Sequence, residues 1–323
     1  MFQRIIAAFS LLVCSAVALA DTERFVVYRQ DVIIGRVVAE VNGKVVKVEF
    51  DVKDNGRGPT VAETLTLDAS GLPSSWRITG TQTFGGKIDE FFVNKGAKAS
   101  WRDSAGPGQA KGGSRLYVAQ SASPWALQLY ARAILRAGKA IEVLPGGTIA
   151  LTKGERLTLR GKDGELAVTR YDLTGLEFNP TIMLLDDAER LIALPSPGGG
   201  LIREGFAAEN PRLQKLVAEW QSARWAEIQR NTAKKFVGPV RIKNVRVFDP
   251  VARQLTGLVA VIVSGRSISS VQAVDTPTTP GETVIDGAGG TLVPGMFEMH
   301  AHLGESGALL NVLAGVTSVR DMG

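Results

Sequence analysis

Two histidines separated by one residue are the side chains of this sequence best suited to metal chemistry. His300 and His302 are the only histidines among the 323 residues. In a β-strand, residues i and i+2 point to the same face, so both imidazoles could reach one metal ion. Neutral imidazole is a common ligand of zinc and related divalent metals, and Glu298 on the same face could orient a ligand by hydrogen bonding. The pair therefore predicts a divalent metal site, with zinc the preferred ion.

A pattern this short also occurs in strands whose histidines are exposed or packed in the core without a metal. The surrounding residues favour the metal. The pair follows Pro294-Gly295 and the apolar Met296-Phe297, which together predict the end of a buried strand. Buried histidines need polar partners, and one metal ion would satisfy both rings.

Residues 293–303 read VPGMFEMHAHL, and this segment resembles the signature that opens the barrel of the amidohydrolase superfamily. Members of that family typically carry Pro-Gly, two apolar residues, an acid, one further residue and His-x-His. Residues 244–250, 261–268 and 284–286 resemble the family's small β-sandwich, and residues 315–323 resemble its second barrel strand. The resemblance covers about residues 239 to 323 and is closest to imidazolonepropionase-like enzymes and prolidase-like dipeptidases. Glu298 stands where most relatives carry Asp.

The resemblance implies a fold, a cofactor and a reaction. The family fold is a (β/α)8 barrel, with ligands at the carboxyl ends of its strands. The family uses one or two divalent metals, usually zinc, which polarise a carbonyl and supply hydroxide near neutral pH. His300 and His302 match the family's first pair of metal ligands. The implied reaction is hydrolysis of an amide, cyclic amide or dipeptide C–N bond in a small-molecule substrate.

Several parts of that family's active site have no counterpart here. The family needs a bridging carboxylated Lys or a Glu, two further His and an Asp, yet the chain has no third histidine. A complete barrel takes roughly 250 residues, and residues 296–323 supply only 28. We therefore expect a fragment of a longer metal-dependent amidohydrolase that is inactive by itself, and we assign no catalytic residue.

Two other hypotheses compete with the fragment. The first is a non-catalytic exported β-rich binding module, in which residues 21–205 bind a ligand or partner and the rest is a vestigial hydrolase segment. The second is a self-contained structural zinc protein. It is disfavoured because a structural zinc site takes four protein ligands and two histidines fall short of that number.

The first twenty residues have the features of a secretory signal. Arg4 gives a positive start, Ile5–Ala20 is apolar, and Ala18-Leu19-Ala20 supplies a small-x-small cleavage site. This pattern predicts an exported protein, periplasmic or secreted, with no stable membrane span after cleavage. An uncleaved N-terminal anchor is the alternative. Cys14 is the only cysteine and lies in this segment, so the cleaved protein would have no thiolate chemistry.

Composition limits the classes of partner. Hydrophobic residues make up 45% of the chain and charged residues 21%, which excludes disorder and a polytopic membrane protein. The net charge of +5 is spread along the chain, and without a basic stripe we expect no nucleic-acid partner. Acids such as Asp51, Asp89 and Asp172 are predicted to lie on solvated strand faces. The oligomeric state is left open.

Alternating residues and frequent turns predict strands over most of residues 25–194. The segments 37–41 and 45–50 flank Asn42-Gly43, the strongest short signal for a hairpin. One helix is predicted to begin at Ser123 as N-cap with Pro124 at its first position, and to cover the sheet or plug the roll. A second helix is predicted over residues 209–235.

The complete prediction is an α+β fold in five parts. Residues 1–20 are a signal peptide, and 21–205 form an antiparallel β-rich roll with one or two helices. Residues 206–238 form a linker helix, and 239–295 the start of an amidohydrolase small β-sandwich. Residues 296–323 supply the first β-α-β of a truncated (β/α)8 TIM barrel.

Overall fold

A computed structural model of the protein describes residues 21–304 and 306–322, and the predicted signal segment lies outside these residues. The chain divides into two compact units, Met1–Ala223 (unit 1) and Arg224–Gly323 (unit 2). Among the described residues, no helix has both the length and the apolar character needed to cross a membrane.

Unit 1 is built from fifteen strands and the helix α1 (Ala126–Ala137), and a longer helix, α2 (Asn210–Thr232), follows a 3-10 turn at Glu204–Glu209. The strands are β1 (Asp21–Arg29), β2 (Val32–Asn42), β3 (Val45–Val52), β4 (Thr60–Leu67), β5 (Pro73–Thr81), β6 (Lys87–Asn94), β7 (Lys98–Asp103), β8 (Gly106–Lys111), β9 (Leu116–Tyr117), β10 (Ile141–Leu144), β11 (Thr148–Gly161), β12 (Gly164–Thr174), β13 (Thr181–Asp186), β14 (Leu191–Ser196) and β15 (Gly199–Arg203).

All fifteen strands belong to one sheet. Its order is β8-β7-β6-β5-β4-β3-β2-β1-β15-β14-β13-β12-β11-β10-β9, and only the β9–β10 pair is parallel. The two edge strands, β8 and β9, are consecutive in the chain and are joined by residues 112–115. A link this short spans at most roughly 20 Å, so the opposite edges must approach each other and the sheet curls into a roll.

Strand alternation fixes the inner face of the roll. In β3, Val46 and Val48 are buried while Lys47 and Glu49 between them are exposed, as expected when successive side chains point to opposite faces. Gly43 completes the preceding turn with φ +57°, a conformation that glycine adopts without steric cost. The turn thereby sets the register that points the valines inward.

Helix α1 fills the inside of the roll. Its face carrying Leu129, Tyr130 and Ile134 is buried in the same cluster as the inward side chains of the strands. The helix ends at Gly138, whose φ of +64° allows its backbone N–H to bond to the carbonyl oxygens of the last turn. The interior of the roll is thus a packed core.

Helix α2 packs on the outer side of the roll. Its buried Leu213 joins Leu159, Val168 and Ile202 in a second hydrophobic cluster. The guanidinium of Arg170 lies 4.5 Å from the centroid of the Trp220 ring, a cation–π distance.

Unit 2 contains two small sheets. The strands are β16 (Val240–Asp249), β17 (Gln254–Leu255), β18 (Val259–Ser264), β19 (Ser267–Ala273), β20 (Thr283–Asp286), β21 (Thr291–Leu292), β22 (Met296–Ala301) and β23 (Val316–Asp321), and its short helix is α3 (Gly307–Leu313). Strands β17, β16, β18 and β19 lie side by side in that order, and β20 and β21 also pair with β16. Strands β22 and β23 form a separate parallel pair.

The predicted fold class, an α+β chain ending in a truncated (β/α)8 barrel, is wrong. The described residues form mostly strands, with three α-helices and a largest sheet of fifteen strands that is nearly all antiparallel. A TIM barrel instead alternates every strand with a helix. The blocks assigned to a small β-sandwich are strand–turn–strand patterns, and such patterns suit many kinds of sheet.

Candidate functional site

The structure places the two histidines together at the end of a strand. His300 lies in β22 and His302 just beyond it, and their ring centroids are 5.2 Å apart. Glu298 accepts a hydrogen bond from the backbone N–H of His300 at 2.8 Å, so its printed contact is with the backbone. Over residues 21–304 and 306–322, no group of three or more His, Cys, Asp or Glu is arranged to hold a metal ion. Metal binding by His300 and His302 stays a prediction.

Three buried glutamates inside the roll form a cluster that the sequence analysis missed. Glu23 on β1, Glu63 on β4 and Glu90 on β6 are each at most 3% exposed. A buried carboxylate is costly unless donors surround it, so the contacts of each side chain identify its role.

Glu90 binds the segment that leads into α1. One of its oxygens accepts hydrogen bonds from the Tyr117 hydroxyl (2.8 Å) and the Gln120 backbone N–H (2.9 Å). Its other oxygen accepts from the backbone N–H of Ser121 at 2.8 Å. The carboxyl group thus holds two consecutive backbone amides that belong to no strand or helix.

Glu63 and Glu23 continue the same contacts along the chain. Glu63 accepts from the Ser123 backbone N–H at 2.7 Å and from the Trp76 indole at 2.9 Å. Glu23 accepts from the indole of Trp125 at 2.6 Å, and also from Gln128 on α1 and from Arg203 on β15. Every oxygen of the three carboxyl groups therefore has at least one donor.

Burial changes the ionisation of this cluster. It raises the pKa of Glu63 to about 7, against the hydrogen bonds from Ser123 and Trp76 that favour the charged form. Burial also raises the pKa of Tyr130 and of Tyr117, the latter with a contribution from the hydrogen bond to Glu90. Since all six carboxyl oxygens are engaged by donors of the chain, the glutamates act as a structural clasp for residues 117–128.

The sequence contains a signal for this clasp. Glu63 lies two residues from Val61 and from Leu65, and all three share the inward face of β4. An acid in the apolar phase of an alternating strand is a buried acid that needs donors. By contrast, Asp51 and Asp89, predicted to lie on solvated faces, have exposed side chains.

Unit 2 carries a sheet face made of branched apolar side chains. Val261 on β18 lies opposite Ile242 on β16 and opposite Val271 on β19. Residues opposed on neighbouring strands project from the same face of a sheet, and this rule extends the set to β20 and β21. We call the set the apolar face, and its members are Val240, Ile242, Val247, Val261, Val263, Ile268, Val271, Ile285 and Leu292.

The two faces of this sheet differ in chemistry. Arg241 alternates with Val240 and Ile242, so it projects from the opposite face, where it is buried and binds Glu282 at 2.6 Å. The apolar face has no charged member. It is open to solvent at β19, where Ile268 is 67% and Val271 53% exposed.

Two grooves mark the open parts of the apolar face. The first has a volume of about 330 Å³ and is lined by Val247, Phe248, Val261, Ile268, Val271, Leu292, Val293 and Pro294. The second, of about 520 Å³, includes Val240, Ile242, Val263 and Ile285 in its lining. An open apolar surface of this kind is typical of a site that another molecule covers.

Comparison with known proteins identifies no family. No family model matches the chain, and no curated protein matches it. Among solved structures, the chain is similar to a beta-barrel-like protein of the domain of unknown function DUF1849 from Brucella abortus, with 12% identity and a TM-score of 0.35 over 57% of this chain and 93% of that one. It is also similar to a DUF1089 family protein from Pseudomonas aeruginosa, with 13% identity and a TM-score of 0.31 over 60% of this chain and 97% of that one.

The assignment of residues 239–323 to a metal-dependent amidohydrolase is wrong. No family model supports it, and the described chain is a β-rich protein without the (β/α)8 barrel on which that activity depends. The predicted hydrolase function and its zinc and TIM-barrel features are corrected with it. The physical reason is that a His-x-His strand end, short strands and turns do not by themselves build a catalytic barrel.

Proposed function

We propose that this chain is a non-catalytic, exported β-rich binding protein, in which unit 1 is a scaffold and the apolar face of unit 2 binds another polypeptide. One observation carries the proposal. Among the described residues, only five of the exposed large hydrophobic side chains lie in unit 1, whereas twenty lie in the smaller unit 2. Water-exposed apolar surface on this scale favours association.

The scaffold role of unit 1 follows from its filled interior. The roll encloses α1, and the glutamate clasp fixes the segment that leads into that helix. A ligand inside the roll would have to displace this core. The binding surface is therefore on the outside of the molecule, and in unit 2 it is the apolar face.

A polypeptide is the partner that fits this surface best. The face consists of strands with a free edge at β19, so a partner could contribute both backbone hydrogen bonds and apolar side chains. A small molecule would fill one groove and leave most of the face exposed. Export is proposed from the signal-like residues Arg4 and Ile5–Ala20.

The size of the particle that contains this chain in an extract of expressing cells tests the proposal. Wild type should elute from a sizing column well ahead of a single chain. Val271→Asp should elute as a single chain, because a charge buried without a partner strongly opposes association. Val251→Asp is the matched control, since Val251 is 92% exposed in the turn after β16, and it should elute like wild type. Elution of wild type as a single chain would contradict the proposal.

A further inference from the structure

We infer that the polypeptide that covers the apolar face is a second copy of this chain, packed face to face with the first. This inference rests on the proposed function and names its partner. The sheet has one face with its own buried ion pair, Arg241–Glu282, and one apolar face. Two such sheets, each with one apolar face, form a β-sandwich with a shared core between them.

The charge distribution favours an identical partner. Two copies that meet through the same surface bring like residues together, so any charge on that surface opposes its own kind. The chain carries a net charge of +5, which disfavours association through an average part of its surface. The apolar face is free of this repulsion because none of its nine members is charged. It is therefore a surface on which two copies can meet without electrostatic cost.

The shape of the side chains also suits a sandwich of two equal sheets. The members of the face are Val, Ile and Leu, which have similar volumes and few rotamers on a strand. Ridges of such side chains interdigitate across the roughly 10 Å between packed sheets. The grooves of about 330 and 520 Å³ on each copy would receive the exposed Ile268 and Val271 of the other.

Sedimentation equilibrium of the purified chain is the test. Wild type should sediment with the mass of two chains, and Val251→Asp should do the same. Val271→Asp should dissociate, with an affinity weaker by a factor on the order of 100. Circular dichroism verifies that each variant remains folded. Wild type that sediments as one chain at all concentrations would overturn the second copy as partner.

Crosslinking supplies a measurement that needs no destabilising charge. Cys14 is the only cysteine, so Val271→Cys in a Cys14→Ser background carries one thiol. A short bis-maleimide should join two copies of this variant, and it should not join two copies of the matched Val251→Cys variant. Equal yields from both variants would overturn the face-to-face arrangement.

The two proposals fail in different ways. If the purified chain is monomeric but the extract holds a larger particle that Val271→Asp dissolves, the partner is a different protein and the proposed function stands. If wild type is a single chain in both experiments, both proposals are wrong.

Discussion

Glu63 is the residue whose ionisation should be visible in the stability of the protein. Burial raises its pKa from the ordinary 4.5 to about 7. Below pH 4.5 the carboxyl group is protonated in both the folded and unfolded chains, and it has no effect. Between pH 4.5 and 7 the unfolded chain ionises first, so the folded state loses about 1.4 kcal/mol per pH unit. The loss reaches about 3 kcal/mol and stays constant above pH 7.

Glu63→Gln isolates this contribution because glutamine does not ionise. We expect the free energy of unfolding of wild type, minus that of Glu63→Gln, to fall by about 3 kcal/mol as pH rises through that window. Urea unfolding at several pH values, followed by tryptophan fluorescence, measures both. A difference that is constant with pH would show that Glu63 titrates at its ordinary pKa.

Glu90 and its neighbour Asp89 provide a matched pair on opposite faces of β6. Glu90→Ala leaves the Tyr117 hydroxyl and the amides of Gln120 and Ser121 without their acceptor, and it should lower the free energy of unfolding by roughly 3–5 kcal/mol. Asp89→Ala removes an exposed ion pair with Arg77 and should cost less than about 1 kcal/mol. Urea unfolding compares the two, and equal losses would refute the clasp.

At the scale of elements, α2 is attached to the roll by a narrow apolar face. Leu213 is fully buried against the outer cluster of the roll, whereas Lys215 on the same helix is exposed. Leu213→Ala should cost about 2–5 kcal/mol, and Lys215→Ala should remain within about 0.5 kcal/mol of wild type. Urea unfolding measures both. If Leu213→Ala were as mild as the control, the helix would not be packed on the sheet.

Local patterns in the sequence predict several elements well. The Asn42-Gly43 signal corresponds to the turn between β2 and β3, and the helix predicted over residues 209–235 corresponds to α2 at Asn210–Thr232. These elements depend on periodicity and turn chemistry that lie within a few residues. They can therefore be predicted without any long-range contact.

The start of α1 shows where local patterns fail. Ser123 was predicted as N-cap, but the helix begins at Ala126 and its N-cap, Trp125, makes no side-chain cap bond. The backbone N–H of Ser123 binds Glu63, sixty residues earlier in the chain. A contact between residues so far apart leaves no mark on the spacing around position 123, so only the folded structure reveals it.

The apolar face was predictable as strands but not as a face. The segments 240–242 and 258–263 were both predicted as strands, in agreement with β16 and β18. Their register includes an irregularity between Ile242 and Val245, where Asn244 has φ +57°. One extra residue in a strand exchanges the faces of all the residues that follow. The sequence alone does not specify which valines share a side.

At the scale of the whole molecule, the two units bury apolar surface to very different degrees. Unit 1 encloses α1 within a curled sheet and packs α2 outside it, so its hydrophobic residues form continuous clusters. Unit 2 leaves Phe297, Val312 and Leu313 exposed in addition to the open part of the apolar face. We explain this asymmetry by a division of labour, with unit 1 as the stable scaffold and unit 2 as the surface that a partner covers.

Photocrosslinking from position 271 inside expressing cells tests this account most directly. A photoreactive phenylalanine analogue in place of Val271 should form an adduct with a polypeptide, and mass spectrometry should locate the bond in that partner. The same analogue in place of Val251, which is exposed but outside the apolar face, should form none. Adducts at 271 alone would support binding through the apolar face. No adduct at 271, or equal adducts at both positions, would contradict it.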